Sequence, residues 1–218
     1  SYFARLAIVF DNFEIFEEII EQDHQLIAYI SQNRFHYIDV TFLHLAVHHS
    51  RVNFVEYILD IAPELALYSF EESETALDLA ISNDSSNMLQ LFNAAGFTFE
   101  QTRLVEGRHL NGFQYSFKKR CTKSFEFYLT KIGNKERALS FLLDQFGSRS
   151  NILKHCLGTS IAFGSFSIVK LLATELDFDL TAETYQNDKG VKGDARIFVS
   201  PFHMYYFMRE FENYFPDD

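Results

Sequence analysis

Between residues 1 and 100, apolar side chains recur three and four positions apart in runs of about ten residues, the spacing of one face of a helix. The runs come in couples. Thr41-Phe42-Leu43-His44-Leu45-Ala46 is followed by Phe54-Val55 and Ile58-Leu59. Thr75-Ala76-Leu77-Asp78-Leu79-Ala80 stands 34 residues later, followed by Met88-Leu89 and Phe92-Asn93 at the same offset. Upstream, Tyr2-Phe3-Ala4-Arg5-Leu6-Ala7 with Ile15-Phe16 and Ile19-Ile20 keeps that frame. Each couple predicts two short helices. Threonine at the start of the first is a good N-cap, because its hydroxyl accepts from an unpaired amide of the first turn. One such pair cannot bury both its faces, whereas three or more stacked pairs share a continuous core.

Fainter copies follow. Phe125 to Ile132, a Gly133-Asn134 turn, then Ala138-Leu139 and Leu142-Leu143 read as another pair. Gly164 to Leu172 reads as a turn and second helix, with its first helix over roughly His155 to Ala162. Residues 97–121 interrupt the series. Within them Gly112-Phe113-Gln114-Tyr115-Ser116-Phe117 alternates apolar and polar, which predicts a short strand or extended arm, or else a repeat carrying an inserted loop. Residues 188–194 read as a polar loop. Ser200-Pro201 then opens a helix through about Tyr214, apolar nearly all round, expected to cap the stack or to offer a greasy surface to a partner.

The repeated unit resembles the ankyrin repeat. That family's Thr-Pro-Leu-His-x-Ala signature stands here as Thr41-Phe42-Leu43-His44-Leu45-Ala46 and as Thr75-Ala76-Leu77-Asp78-Leu79-Ala80. The glycine after the second helix is kept as Gly96, and Ala62 takes its place one copy earlier. The glycine two residues before the threonine is replaced by Asp39 and Ser73, so the β-hairpin fingers between repeats are expected to be shortened or distorted. The resemblance implies an all-α fold, a helix-turn-helix solenoid of about five repeats with an interrupting loop and a C-terminal capping helix. The expected segments are 1–100 for three repeats, 101–121 for an irregular basic and aromatic insertion, 122–182 for two divergent repeats, and 183–218 for a loop and capping helix.

Composition narrows the field. The chain has 218 residues, 47% of them hydrophobic, with 25 Phe and no Trp, enough to bury a core. Three Pro and nine Gly argue against turn-dense all-β folds. Two cysteines exclude a disulfide scaffold and a Cys-only zinc site. No run of eighteen apolar residues exists to span a membrane. The net charge of −11 disfavours a general nucleic-acid binder. Charge is also uneven, at −13 over residues 1–100, +5 over 101–123 and −3 beyond. A solvated face is the ordinary meaning of a charge run; an internal electrostatic contact or two distinct surfaces are the alternatives.

Catalytic chemistry finds little support. His44 and His48 are four apart, but Leu45 stands where a zincin needs Glu, and no third ligand is evident. The ankyrin resemblance instead makes His44 a hydrogen-bonding residue near the hairpins. Adjacent His155 and Cys156 do not define a nucleophile and base, and Cys156 is expected to be a partly buried structural thiol. Cys121 lies among Lys118, Lys119, Arg120 and Lys123, whose charges would lower a thiol pKa and favour a reactive surface cysteine. Neither metal nor cofactor is expected.

Ankyrin arrays generally bind proteins, and the resemblance implies a protein-interaction scaffold. The expected partner-binding residues are Tyr37, Asp39, His48, His49, Arg51, Glu71, Glu72, Asn83 and Asp84, at hairpin tips and groove-side ends of first helices. Tyr37 is the expected aromatic anchor. The acidic first half predicts a partner with a basic patch. Divergent, Phe- and Asn-rich repeats resemble those of effectors secreted by intracellular bacterial pathogens, which implies a host-protein partner and a cytoplasmic, host-cell address. Two alternatives remain: a cysteine-dependent enzyme whose site is built from the non-repeat segments, and a homodimer through the C-terminal helix.

Overall fold

Helix dominates the chain, as the three-and-four spacing requires. The computed structural model describes residues 2–28, 31–33, 38–69, 73–105, 107–153, 155–156 and 167–178. Tyr37, Glu71, Glu72, most of the helix expected over 155–162, the 188–194 loop and the helix expected from Ser200 lie outside them. The helices are α1 (Tyr2–Val9), α2 (Phe13–Gln22), α3 (Phe42–His48), α4 (Val52–Ile61), α5 (Ala76–Ser82), α6 (Ser86–Ala94), α7 (Gly112–Lys119), α8 (Thr122–Ile132), α9 (Lys135–Phe146) and α10 (Ser167–Glu175). Two antiparallel hairpins interleave with them. Strand β1 (Ser31–Asn33) pairs with β2 (Ile38–Val40), and β3 (Thr102–Val105) pairs with β4 (Arg108–Asn111). The chain divides into two units, Ser1–Tyr128 and Leu129–Asp218, with the boundary inside α8.

The first unit is four helix pairs built on one local plan. Thr41 caps α3, accepting from the His44 amide; Thr75 caps α5, accepting from Asp78; Asn111 caps α7, accepting from Gln114. At Thr75 and Asn111 the third helical residue reaches back to the cap amide, completing a capping box. Nine residues beyond each cap, at Ser50, Asp84 and Arg120, the backbone turns left-handed, with φ of 56°, 51° and 65°. Asp11 at φ 60° holds the same place after α1. The next amide then reaches back into the first helix: Asn12 to Ala7 O, Arg51 to Ala46 O, Ser85 to Ala80 O and Cys121 to Ser116 O. This is the Schellman arrangement, which satisfies a terminal carbonyl and starts the second helix at a fixed angle.

Pairs stack through their first helices: α1 packs on α3, α3 on α5 and α5 on α7, while α4 packs on α6. Aromatic rings fill the seams. Phe16 of α2 meets Phe42 of α3 edge-on at 5.7 Å between ring centroids, and Phe54 of α4 at 5.2 Å. Phe113 of α7 stacks on Phe125 of α8 at 4.7 Å. Phe42 is 1% exposed because the preceding pair covers it, whereas Phe3, at the same register on α1, is 72% exposed.

The structure corrects the reading of residues 101–125. Gly112–Phe117 is not a strand but the body of α7, and all six residues are buried. Gln114 and Ser116 are polar yet buried, each bonded internally, so the polar positions mark no wet helical face and leave an accidental alternation. The strands instead precede it, at β3 and β4. Phe125 accordingly packs on α7, so α8 is the second helix of the pair opened by Asn111 and not the start of a new unit.

In the second unit, Asn134 caps α9 by accepting from the Arg137 amide, and α9 stops at Gly147, whose φ is +78°. Residues 149–153 and 155–156 are helical. After α10, the Phe178 amide closes back on Leu172 O, and the Arg149 guanidinium covers the Phe178 ring at 4.8 Å. Ala138, Leu142, Ile152, Val169 and Leu172 are fully buried.

Because Leu43 and Leu77 are buried at the inter-pair seams, Leu43→Ala and Leu77→Ala should each cost about 2–5 kcal/mol in urea unfolding. His48→Ala, on an exposed position, should cost under about 0.5 kcal/mol. Equal losses at all three would contradict the assignment of helix faces.

Candidate functional site

A cleft of about 560 Å³ opens in the first unit. Its walls come from the residues entering α5 (Ser73, Glu74, Thr75 and Asp78), from the continuous stretch Gln101–Val105 containing β3, and from Tyr115, Lys118 and Lys119 of α7. Leu67 and Ser69 close one side.

Two ion pairs hold these walls together. The Arg103 guanidinium on β3 pairs with the Asp78 carboxylate on α5, both almost fully buried. Arg103 also lies over the Tyr115 ring, 4.4 Å from its centroid. Glu74 takes the Tyr115 hydroxyl at 2.6 Å, Lys119 Nζ at 3.0 Å and the Ser82 hydroxyl at 3.1 Å, all on Oε1. Burial alone would push the Glu74 carboxyl upward, but those three donors outweigh it and hold it below the ordinary range. Burial and the bond to Glu74 push the Tyr115 phenol up. The uneven sequence charge is thus partly resolved inside the fold. At Arg103 the expectation of a solvated face is replaced by an internal contact, since Asp78 would otherwise be a buried unpaired charge.

His44 sits one pair upstream and repeats the logic. Its Nε2 lies 3.0 Å from the Glu74 carbonyl and its Nδ1 lies 2.9 Å from Thr41 Oγ1. A carbonyl can only accept, so Nε2–H donates to it and Nδ1 accepts from the Thr41 hydroxyl. Burial, only partly offset by the Glu74 carbonyl and carboxylate, lowers the His44 pKa and keeps the ring neutral.

Of the residues expected to bind a partner, the six that are described lie at two places in the fold. Asp39 belongs to β2, paired with Gln32 ahead of α3, whereas His48, His49, Arg51, Asn83 and Asp84 lie at the far ends of α3 and α5. Several of these have structural work. Arg51 donates to Ile8 O at 3.2 Å and Val9 O at 2.8 Å and pairs with Asp11 at 3.0 Å. Asn83 Nδ2 reaches Val47 O at 3.5 Å. Asp84 accepts the Ser124 amide at 2.8 Å, and the Ser124 hydroxyl donates to Ile81 O at 3.1 Å. In each case one pair supplies donors to carbonyls, or takes donors from amides, of its neighbour. His48 is exposed and half-exposed His49 meets its ring edge-on at 5.0 Å. Sequence reasoning missed the cleft. The available signals were the N3 residues Asp78 and Gln114 and Arg103 ahead of the Asn111 cap.

Cys121 is likewise corrected. It is buried rather than exposed, and burial together with the Asp84 charge pushes its thiol up to about 11 despite Lys119. Its Sγ lies 3.7 Å from both Ser82 O and Lys119 O. Cys156 is buried. Among the described residues no three His, Cys, Asp or Glu side chains converge to hold a metal ion, and no helix is long and apolar enough to cross a membrane. No protein-family model and no curated protein matches the chain.

The neutral His44 sets a pH dependence. Its lowered folded pKa means the unfolded chain binds a proton that the native state refuses, so stability is lost as pH falls below about 6.5. The urea midpoint should drop between pH 7.5 and 5.5, and less steeply in His44→Gln. An unchanged slope in the variant would rule out His44 as the cause. Cys121 in the native protein should resist iodoacetamide at neutral pH and react only on denaturation.

Proposed function

We propose that the chain is a divergent ankyrin-type stack working as a protein-binding scaffold, its partner surface lying on the hairpin side of the stack at the α5–β3–α7 cleft. The observation that carries this is the equivalence of Thr41, Thr75 and Asn111: each caps a short first helix, and each is followed nine residues later by a left-handed turn into a second helix. Three such units in register, stacked through their first helices, form the kind of rigid platform whose ordering cost is already met by folding.

The cleft supports a binding role over a catalytic one. Its acids and bases neutralise one another and brace the walls, leaving no nucleophile held against a base. The buried, high-pKa thiol of Cys121 weighs against the cysteine-enzyme alternative. What the cleft offers outward is a rim of apolar and cationic groups, with Leu104 60% exposed and Leu67 44% exposed. The expectation of a basic partner followed from the charge of residues 1–100. The cleft lining is locally the reverse, with Arg103, Lys118 and Lys119 against Glu74 and Asp78.

Affinity capture from a cell lysate tests this. The native chain should retain a specific protein that Leu104→Asp/Lys118→Glu loses and that His48→Ala/His49→Ala keeps, all at unchanged helicity by circular dichroism. Retention by the heat-unfolded chain as well as the native one, or loss through neither pair of substitutions, would contradict the reading.

A further inference from the structure

One wall of the cleft has the form of a strand edge rather than a sheet face. Gln101 to Val105, five consecutive residues, all line it. Side chains of a strand alternate between faces, so a wall that takes every residue in turn runs along the edge. The other edge of β3 is occupied by β4, from Thr102 opposite Asn111 to Val105 opposite Arg108. Among the described residues no third strand joins this sheet. In an antiparallel pair only alternate residues exchange main-chain hydrogen bonds with the partner, and those between turn their N–H and C=O outward. β3 therefore presents an unused half-ladder to the cleft, the usual template for adding a strand.

The opposite wall suits an extended guest. Ser73 to Thr75 run to the α5 cap, where Thr75 lies in the broad extended region at φ −74° and ψ 167°. The cleft volume lies within the range of about 300–1,000 Å³ typical of ligand sites. Four extended residues span roughly 13 Å, the length of β3 itself. The lining carries three cationic side chains against two carboxylates in a chain of net charge −11. Asp78 is engaged by Arg103 and the Thr75 amide, and Glu74 by Tyr115, Lys119 and Ser82, so two of the three cations are balanced within the cleft and the lining keeps an excess of one positive charge. The exposed side of Leu104 adds an apolar anchor beside that positive rim.

We propose that the cleft takes an extended peptide segment as a third strand on β3, with an apolar side chain against Leu104 and an acidic side chain toward Lys118 and Lys119. This rests on the scaffold reading above and makes the partner a linear motif of alternating apolar and acidic residues instead of a folded surface. Main-chain hydrogen bonds to β3 supply the grip, and the two rims supply selectivity.

Selection of octapeptides from a display library on the full chain, followed by anisotropy titration of the labelled peptides, tests it. The selected peptides should alternate apolar with acidic residues. N-methylation of every second amide should weaken binding at least tenfold, while methylation of the intervening amides changes it less than twofold. Lys118→Glu should also weaken binding at least tenfold, and His48→Ala should leave it unchanged. Peptides that tolerate methylation at every position, or that bind the Lys118→Glu and Leu104→Asp variants as well as the native chain, would overturn strand addition. So would a selection that enriches no peptide, an outcome that leaves the capture experiment free to uphold the scaffold with a folded partner.

Discussion

A short helix leaves four carbonyls and four amides without partners at its ends, and the first helices here are only seven or eight residues long. Almost every polar group of such a helix is an end group. The first unit solves this by making each pair finish its neighbour. Arg51 takes the carbonyls of Ile8 and Val9, Asn83 that of Val47 and Ser124 that of Ile81. At the opposite end His44 holds the Glu74 carbonyl ahead of the next cap. A pair taken alone would expose both an apolar face and a row of unsatisfied groups. Stacked, it exposes neither, and the cleft exists because that stacking sets β3, α5 and α7 at fixed positions.

The third position of α3, α5 and α7 carries a second constraint. His44, Asp78 and Gln114 occupy it, and each turns back to the cap of its own helix. His44 and Asp78 also reach forward, to a carbonyl and to an arginine of the following segment. Three different side chains perform one geometric task with three chemistries: a neutral imidazole, a buried carboxylate and an amide. The choice at Asp78 demands a cation. Arg103 meets it and thereby fastens the β3–β4 hairpin over α5, which is what gives the cleft its second wall.

Much of the architecture was legible because helical caps and apolar spacing are local signals. Thr41 and Thr75 with their following leucines and alanines marked two first helices, and Phe54-Val55 with Met88-Leu89 marked their partners. Residues 111–119 were not legible as a helix, since residues 112–117 of α7 are all buried and the polar ones among them, Gln114 and Ser116, serve internal bonds rather than a wet face. Arg51 and Asp84 looked like surface ligands for a related reason. Both are polar residues at turns, and what engages them is main-chain carbonyls and amides of a neighbouring pair, which have no letter in the sequence. Cys121 misled in the same way: four nearby cations along the chain suggested a depressed pKa, whereas the fold turns the sulfur inward beside Asp84.

Coupling between pairs is the claim on which the scaffold depends, and native-state hydrogen exchange measures it. The amides of Arg51, Ser85 and Cys121 hold the three interior turns, and each closes on its own first helix. If the pairs complete one another, Leu77→Ala in the third pair should lower the protection of all three amides by a similar amount. Loss of protection confined to Ser85, with Arg51 and Cys121 unmoved, would show the pairs to be independent and would contradict the account.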